Sequence, residues 1–307
     1  MAAFRRLAGF DNEMKIYGKV IALLLTMALG ALLPQFHTLS FLIQYLLMAM
    51  LFFAFLDIDI HPQSFQKGVV WVLLANLSVA FVGYWLVSFF DINLALAAFM
   101  TAIAPTAISS PVIISFIEGR VEYLVASVLL TNVSMALVVP VALPFLVGAA
   151  VKISIWEVLQ PVLIVMFVPL ILARFAMRLP QKAQALIRKG KPFSFPIWLL
   201  NLFIISAKAA DFLRNEHSAS LTALAAVALI SLAICMVNFA LGAWLGGRQY
   251  WQESSQALGQ KNNSFVIWVA LTFLNPLVAM GPTFYVLYHN LYNSWQIYLF
   301  EKRRNDV

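Results

Sequence analysis

TAIAPTAISSPVIISFI, Thr101 to Ile117, and ALGQKNNSFVIWVALTFL, Ala257 to Leu274, are apolar stretches broken in the middle by small polar residues and by proline or glycine. Ser110 in the first and Asn263 in the second stand 153 residues apart in a chain of 307. A helix interrupted in lipid leaves backbone N–H and C=O groups without partners, so such a break survives only beside protein or a water-filled cavity. Breaks at corresponding places in two halves mark a secondary transporter built from inverted repeats, with its site between the breaks near the bilayer midplane.

The rest of the chain supports a membrane setting. Hydrophobic residues make up 63% of it and charged residues 11%, far from the balance of a soluble domain. Apolar runs of spanning length recur at roughly 16–33, 38–56, 68–90, 93–117, 121–147, 154–178, 193–210, 219–247, 252–274 and 277–299. The expected fold is an all-α polytopic membrane protein of ten transmembrane helices. The first span, with Arg5, Arg6 and Lys15 before it, has the outline of a signal peptide, but its removal would break the match of five spans with five. An odd number of spans per half inverts the second half, so the halves, 1–150 and 151–307, are expected to form a 5+5 inverted repeat.

Lysine and arginine set the orientation. With the N-terminus inside, fifteen fall on inner segments, among them Arg120, Arg174, Lys182 and Arg188, against Lys152, Lys208 and Arg214 outside. Both termini are expected in the cytoplasm, in a plasma or inner membrane. The net charge of +7 then reads as topology and contact with anionic lipid, with no patch for nucleic acid. The basic loop Pro180 to Lys191 is expected to be a solvated amphipathic turn, with lipid headgroups as its other possible contact. The lone Cys235 allows no intramolecular disulfide.

The breaks also carry the chemistry. Ser109-Ser110-Pro111 has the form of a helix start, serine at the N-cap and proline in the first turn, and Asn262-Asn263-Ser264 can cap in the same manner. Two half-helix N-termini facing one cavity suit an anion. Lys261 lies in the second break, where an ionised lysine costs at least about 2.5 kcal/mol, so it faces the interior with a partner or snorkels to the surface. Tyr285, His289 and Asn293, with Asn290 beside them, form a polar stripe on the last span, and Ser127, Thr131 and Ser134, with Asn132 adjacent, form one on the fifth. Each can line the cavity or glue helices together. Asn76 is a further amide inside a span. Asp57, Asp59 and His61 look like a metal group but read as hydrated helix-end residues. No Walker loop, nucleophile elbow, zinc motif or dinucleotide fingerprint occurs, so neither an enzymatic activity nor a cofactor is expected.

The segments APTAISSPVIISFIEGRVEYLVASVLLTNVSMALVVP and GQKNNSFVIWVALTFLNPLVAMGPTFYVLYHNLYNS together resemble the bile acid:sodium symporter family, within the bile/arsenite/riboflavin transporter superfamily, as a divergent bacterial-type member. The resemblance covers nearly the whole chain. It implies a core domain, spans 3–5 and 8–10, moving against a panel domain, spans 1, 2, 6 and 7, with broken helices 4 and 9 crossing in the core. It also implies organic anions as substrates. Sodium-coupled members have Ser-Asn where this chain has Ser110-Pro111, and hydroxyls where it has Leu124 and Val128. Their Glu-x-Gly-x-Gln-Asn is matched by Ala257-Leu258-Gly259-Gln260-Lys261-Asn262, so a bridging glutamate becomes alanine and a glutamine becomes lysine. Asn76 matches a third-helix glutamine and His289-Asn290 a His-Asn pair near the substrate. Arsenite exporters, distant relatives, have cysteine where Thr106 stands.

Hard cations need oxygen ligands and negative charge, so these exchanges count against sodium sites. The expected function is secondary transport of an organic anion, without the usual two sodium sites. The expected substrate contacts are Thr106, Ser109, Ser110, Asn262, Asn263, His289 and Asn290. The expected ion-coupling or sodium-replacing residues are Lys261, Gln260, Asn76 and Asn132, with Na+ or H+ as the coupling ion where one is used. A sodium symporter with an altered site and a non-transporting receptor of the same fold are the alternatives.

Overall fold

The computed structural model describes residues 24–56, 66–148, 154–215 and 221–305, together with 18, 21 and 22. Asp57, Asp59 and His61 lie outside the described residues, as do Arg5, Arg6, Lys15 and Lys152. The described chain is almost entirely helical. Helix α1 occupies 24–32, and a 3-10 turn, Pro34–Leu42, runs into α2, Ile43–Phe55. There follow α3 (Lys67–Ser88), α4 (Ile92–Ile103), α5 (Ser110–Phe116), α6 (Val121–Val147), α7 (Ile155–Ala176) and α8 (Gln181–Arg188). The chain continues with α9 (Ser194–Asn215), α10 (Leu221–Gly259), α11 (Asn263–Phe273) and α12 (Pro276–Asn305).

Among the described residues six helical stretches are long and apolar enough to cross a membrane, and α4 and α11 are shorter apolar helices. Several of these helices are apolar on every side. In α3, Ala75 and Ala80 are buried while Trp71, Leu74 and Trp85 are exposed. Small residues toward neighbouring helices and large ones outward are the pattern expected where the surroundings are lipid. The long apolar helices thus fit a membrane-embedded protein.

The α10 helix is two limbs folded back on each other. Gly247 takes φ 56° and Tyr250 φ −132°, which turns the chain. The limbs then meet closely: a Cβ on Gly242 would lie 2.5 Å from Ser254 O and 2.8 Å from Ser255 Cα. Glycine supplies both the left-handed φ and the clearance. The second limb ends at Gly259, which brings the second break against the first.

Packing arranges these elements around the breaks. The α3 helix lies on α4 and α10, and α12 on α4, α10 and α11, while α2 packs against α7 and α9. The basic segment expected to be a turn forms α8, an exposed helix. Lys208, expected in an outer loop, is within α9 and half-buried, with Nζ 3.5 Å from Leu271 O.

Candidate functional site

The two breaks are joined as a short antiparallel bridge between Thr106 and Lys261. Ala107 N–H donates to Gln260 O and Asn262 N–H to Pro105 O, both at 2.8 Å. Side chains answer most of the backbone groups left over. Asn76 Nδ2 donates to Ile103 O and Ala104 O, at 3.4 and 3.2 Å, and Lys261 Nζ donates to Ala102 O at 3.0 Å. Thr106 N–H donates to Thr131 Oγ1 at 3.0 Å, and Asn132 Nδ2 donates to Thr106 O at 3.0 Å. On the other break, Thr106 Oγ1 donates to Ala257 O and Tyr285 OH to Gly259 O, both at 2.7 Å. A buried peptide group without a partner costs about as much as a lost hydrogen bond, and these residues supply the partners where a helix cannot.

A cavity of about 1030 Å³ opens in front of this crossing. Ser109, Gln260, Asn262, Asn263, His289, Asn290 and Asn293 form its polar end. Its walls are apolar: Leu47, Met50 and Phe53 from α2, Phe116 from α5, Val121 and Val125 from α6, and Phe195 and Trp198 from α9. Arg188 and Lys191, both exposed, stand on its rim. Among the described residues no aspartate or glutamate lines it.

The expected site residues divide accordingly. Ser109, Asn262, Asn263, His289 and Asn290 line the cavity, and so do Gln260 and Lys261. Thr106 and Ser110 do not: the Thr106 hydroxyl is held by Ala257 O, and Ser110 is fully buried. Asn76 and Asn132 lie away from it, occupied by carbonyls of the first break. Of the expected stripe on α12, His289 and Asn293 line the cavity, whereas Tyr285 sits behind it, accepting from Asn238 Nδ2 at 3.1 Å. Ser109 and Asn262 take the N-cap positions of α5 and α11, but neither side chain caps its helix. Ser109 Oγ accepts from Gln260 Nε2 at 3.2 Å instead, tying one break to the other.

His289 and Lys261 set the local electrostatics. Lys261 N–H donates to His289 Nδ1 at 3.4 Å, which makes Nδ1 the acceptor and Nε2 the N–H of the neutral ring. Lys261 is 2% exposed, and besides Ala102 O its Nζ donates to Asn76 Oδ1.

A second buried ionisable residue escaped the sequence reading. Glu253, 5% exposed, accepts Arg120 N–H at 2.9 Å. Arg120 Nη1 donates to Tyr250 OH at 2.6 Å, Tyr250 stacks on Tyr123, and Tyr123 OH bonds Ser254 Oγ at 2.7 Å. This cluster clamps the start of α6 to the fold of α10. Glu253 is the one acid between 217 and 300, the signal that could have pointed to it.

No protein-family model matches this chain. It is 23% identical over 200 residues to the uncharacterized protein YbaS of Bacillus subtilis (strain 168), a match covering 62% of this chain and 64% of that protein. The chain thus spans somewhat less than two thirds of the length of that relative.

Proposed function

We propose that the chain is a secondary active transporter of an organic anion, working by alternating access. The observation that carries this reading is the cavity itself: about 1030 Å³, with amide and imidazole donors at one end, apolar walls along its length, and a buried lysine at the crossing. Pockets of this size and make-up enclose small molecules, and N–H donors match an anionic head while the walls match an apolar body.

Counting α4 with α5, and the second limb of α10 with α11, as broken spans brings the count to ten when α1, the first limb of α10 and α12 are included. The halves then form the 5+5 inverted repeat. On this reading α3–α6 and α10–α12 are the core that moves, and α1, α2, α7 and α9 the panel. The positive-inside rule puts Arg188 and Lys191 in the cytoplasm, with both termini, and the cavity open to that side. Lys261 holds the place of a coupling cation, so sodium is not required. The resemblance to the bile acid:sodium symporter family agrees with this architecture.

The test is uptake by the purified protein in liposomes, with tritiated taurocholate, an amphipathic monoanion, as probe. Concentrative or counterflow accumulation that persists when choline replaces sodium supports the reading. Strict sodium dependence makes the protein a sodium symporter with an altered site. Stoichiometric binding without accumulation makes it a receptor.

A further inference from the structure

Lys261 has no carboxylate against its side-chain nitrogen among the described residues. Its Nζ is held by two neutral oxygens, of Asn76 and Ala102. His289, a neutral ring by the geometry above, accepts its backbone N–H. The other buried ionisable side chain, Glu253, accepts Arg120 N–H and lies eight residues earlier in the chain, at the far part of the limb that ends at Gly259. An ion held this deep by neutral dipoles alone gains most from a countercharge in the same low-dielectric space. The backbone of Lys261 lies between Gln260 and Asn262, both on the cavity wall, so an anionic head bound at Asn262, Asn263 and His289 lies on the other side of one strand of chain.

We propose that the protein is an anion exchanger, with the Lys261 ammonium as resident countercharge of the transported monoanion; this rests on the transport reading above. Charge accounting gives the consequence. The loaded core, ammonium plus monoanion, closes and crosses as a neutral pair. The empty core closes over an uncompensated positive charge, so its return is the slow step. Exchange of anion for anion moves no net charge, whereas net uptake moves one negative charge per cycle and depends on the empty return.

The experiment compares tritiated taurocholate entry into proteoliposomes preloaded with unlabelled taurocholate and into empty ones, with the membrane potential set by potassium and valinomycin. For the wild type, entry into preloaded vesicles is expected to be about tenfold faster or more, and insensitive to potential, while entry into empty vesicles accelerates with an interior-positive potential. Lys261→Gln, which keeps a donor for Ala102 O, is expected to bring the two rates within about twofold, and Lys261→Arg to keep them apart. Equal rates in the wild type, or a ratio unchanged by Lys261→Gln, overturn the inference while leaving transport standing. If Lys261→Gln does not fold, the wild-type ratio and its response to potential decide alone. Absence of flux in both modes refutes the transport reading, and the exchange inference with it.

Discussion

The ammonium of Lys261 donates to Oδ1 of Asn76, 185 residues earlier in the chain, while the amide nitrogen of Asn76 donates to Ile103 O and Ala104 O. One asparagine therefore joins the carbonyl end of α4 to the lysine of the opposite break. It serves as acceptor for a cation and donor for two carbonyls at once, which an aliphatic side chain cannot do. Asn76 is 1% exposed, so water does not replace either role.

The two side chains should therefore be energetically coupled. Asn76→Ala leaves the ammonium with Ala102 O alone and two carbonyls without donors, and should lower thermal stability in detergent by several degrees. Lys261→Met should also destabilise, by leaving Asn76 Oδ1 without its donor. The double variant should lose less than the sum, with a coupling of about 0.5–3 kcal/mol by denaturation in a double-mutant cycle. Additive losses would show that the pair does not interact.

Thr106 separates structure from binding. Its hydroxyl donates to Ala257 O and its carbonyl accepts from Asn132, but it does not line the cavity. Thr106→Val keeps the shape and removes the donor, leaving a buried carbonyl unpaired, and should cost about 1–3 kcal/mol of stability. Taurocholate affinity of the folded fraction, measured by equilibrium binding, should change less than about twofold, well under a hydrogen bond's worth. A large loss of affinity at unchanged stability would return Thr106 to the substrate.

The fold of α10 depends on Gly242. A methyl group there meets Ser254 O and Ser255 Cα, both backbone atoms, so the second limb cannot dock without shifting. Gly242→Ala should lower the melting temperature markedly and expose the 247–253 region to protease. Gly83, where an added Cβ would meet no other part of the protein within 4 Å, is the control, and Gly83→Ala should be neutral or slightly stabilising because alanine favours a helix. Equal behaviour of the two variants would contradict the close approach of the limbs.

What the sequence revealed follows from which forces are local. Apolar runs and their interruption before Pro111 and after Gly259 are visible because solvation and backbone breaking act residue by residue. The helix starts at Ser109 and Asn262 are legible for the same reason. Their side chains nonetheless leave the caps empty, because Gln260 and Asn132 compete for them across the break, at 3.2 and 3.5 Å. The direction of a polar stripe is likewise a tertiary matter. Tyr285 shares helical spacing with His289 and Asn293, yet Gly259 O draws it behind the crossing. Glu253 was hidden by the fold of α10, since only the return of the second limb carries it to Arg120.

His289 offers the sharpest test of the polar end of the cavity. Its Nδ1 accepts Lys261 N–H, so the proton of the neutral ring sits on Nε2, the nitrogen left for a bound anion. Glutamine places its amide nitrogen near the reach of Nε2, and asparagine near that of Nδ1. His289→Gln should hold tritiated taurocholate within about threefold of wild type, whereas His289→Asn should weaken it about tenfold or more, the worth of one hydrogen bond to a charged group. Asparagine keeps an acceptor near Nδ1 for Lys261 N–H and glutamine does not, so a purely structural role would weaken His289→Gln the more and lower its stability in step with affinity. The measurement is equilibrium binding to purified protein, with a thermal melt of each variant beside it. The reverse order of affinities would make His289 a support for Lys261 N–H, and equal affinities in all three proteins would remove His289 from the site.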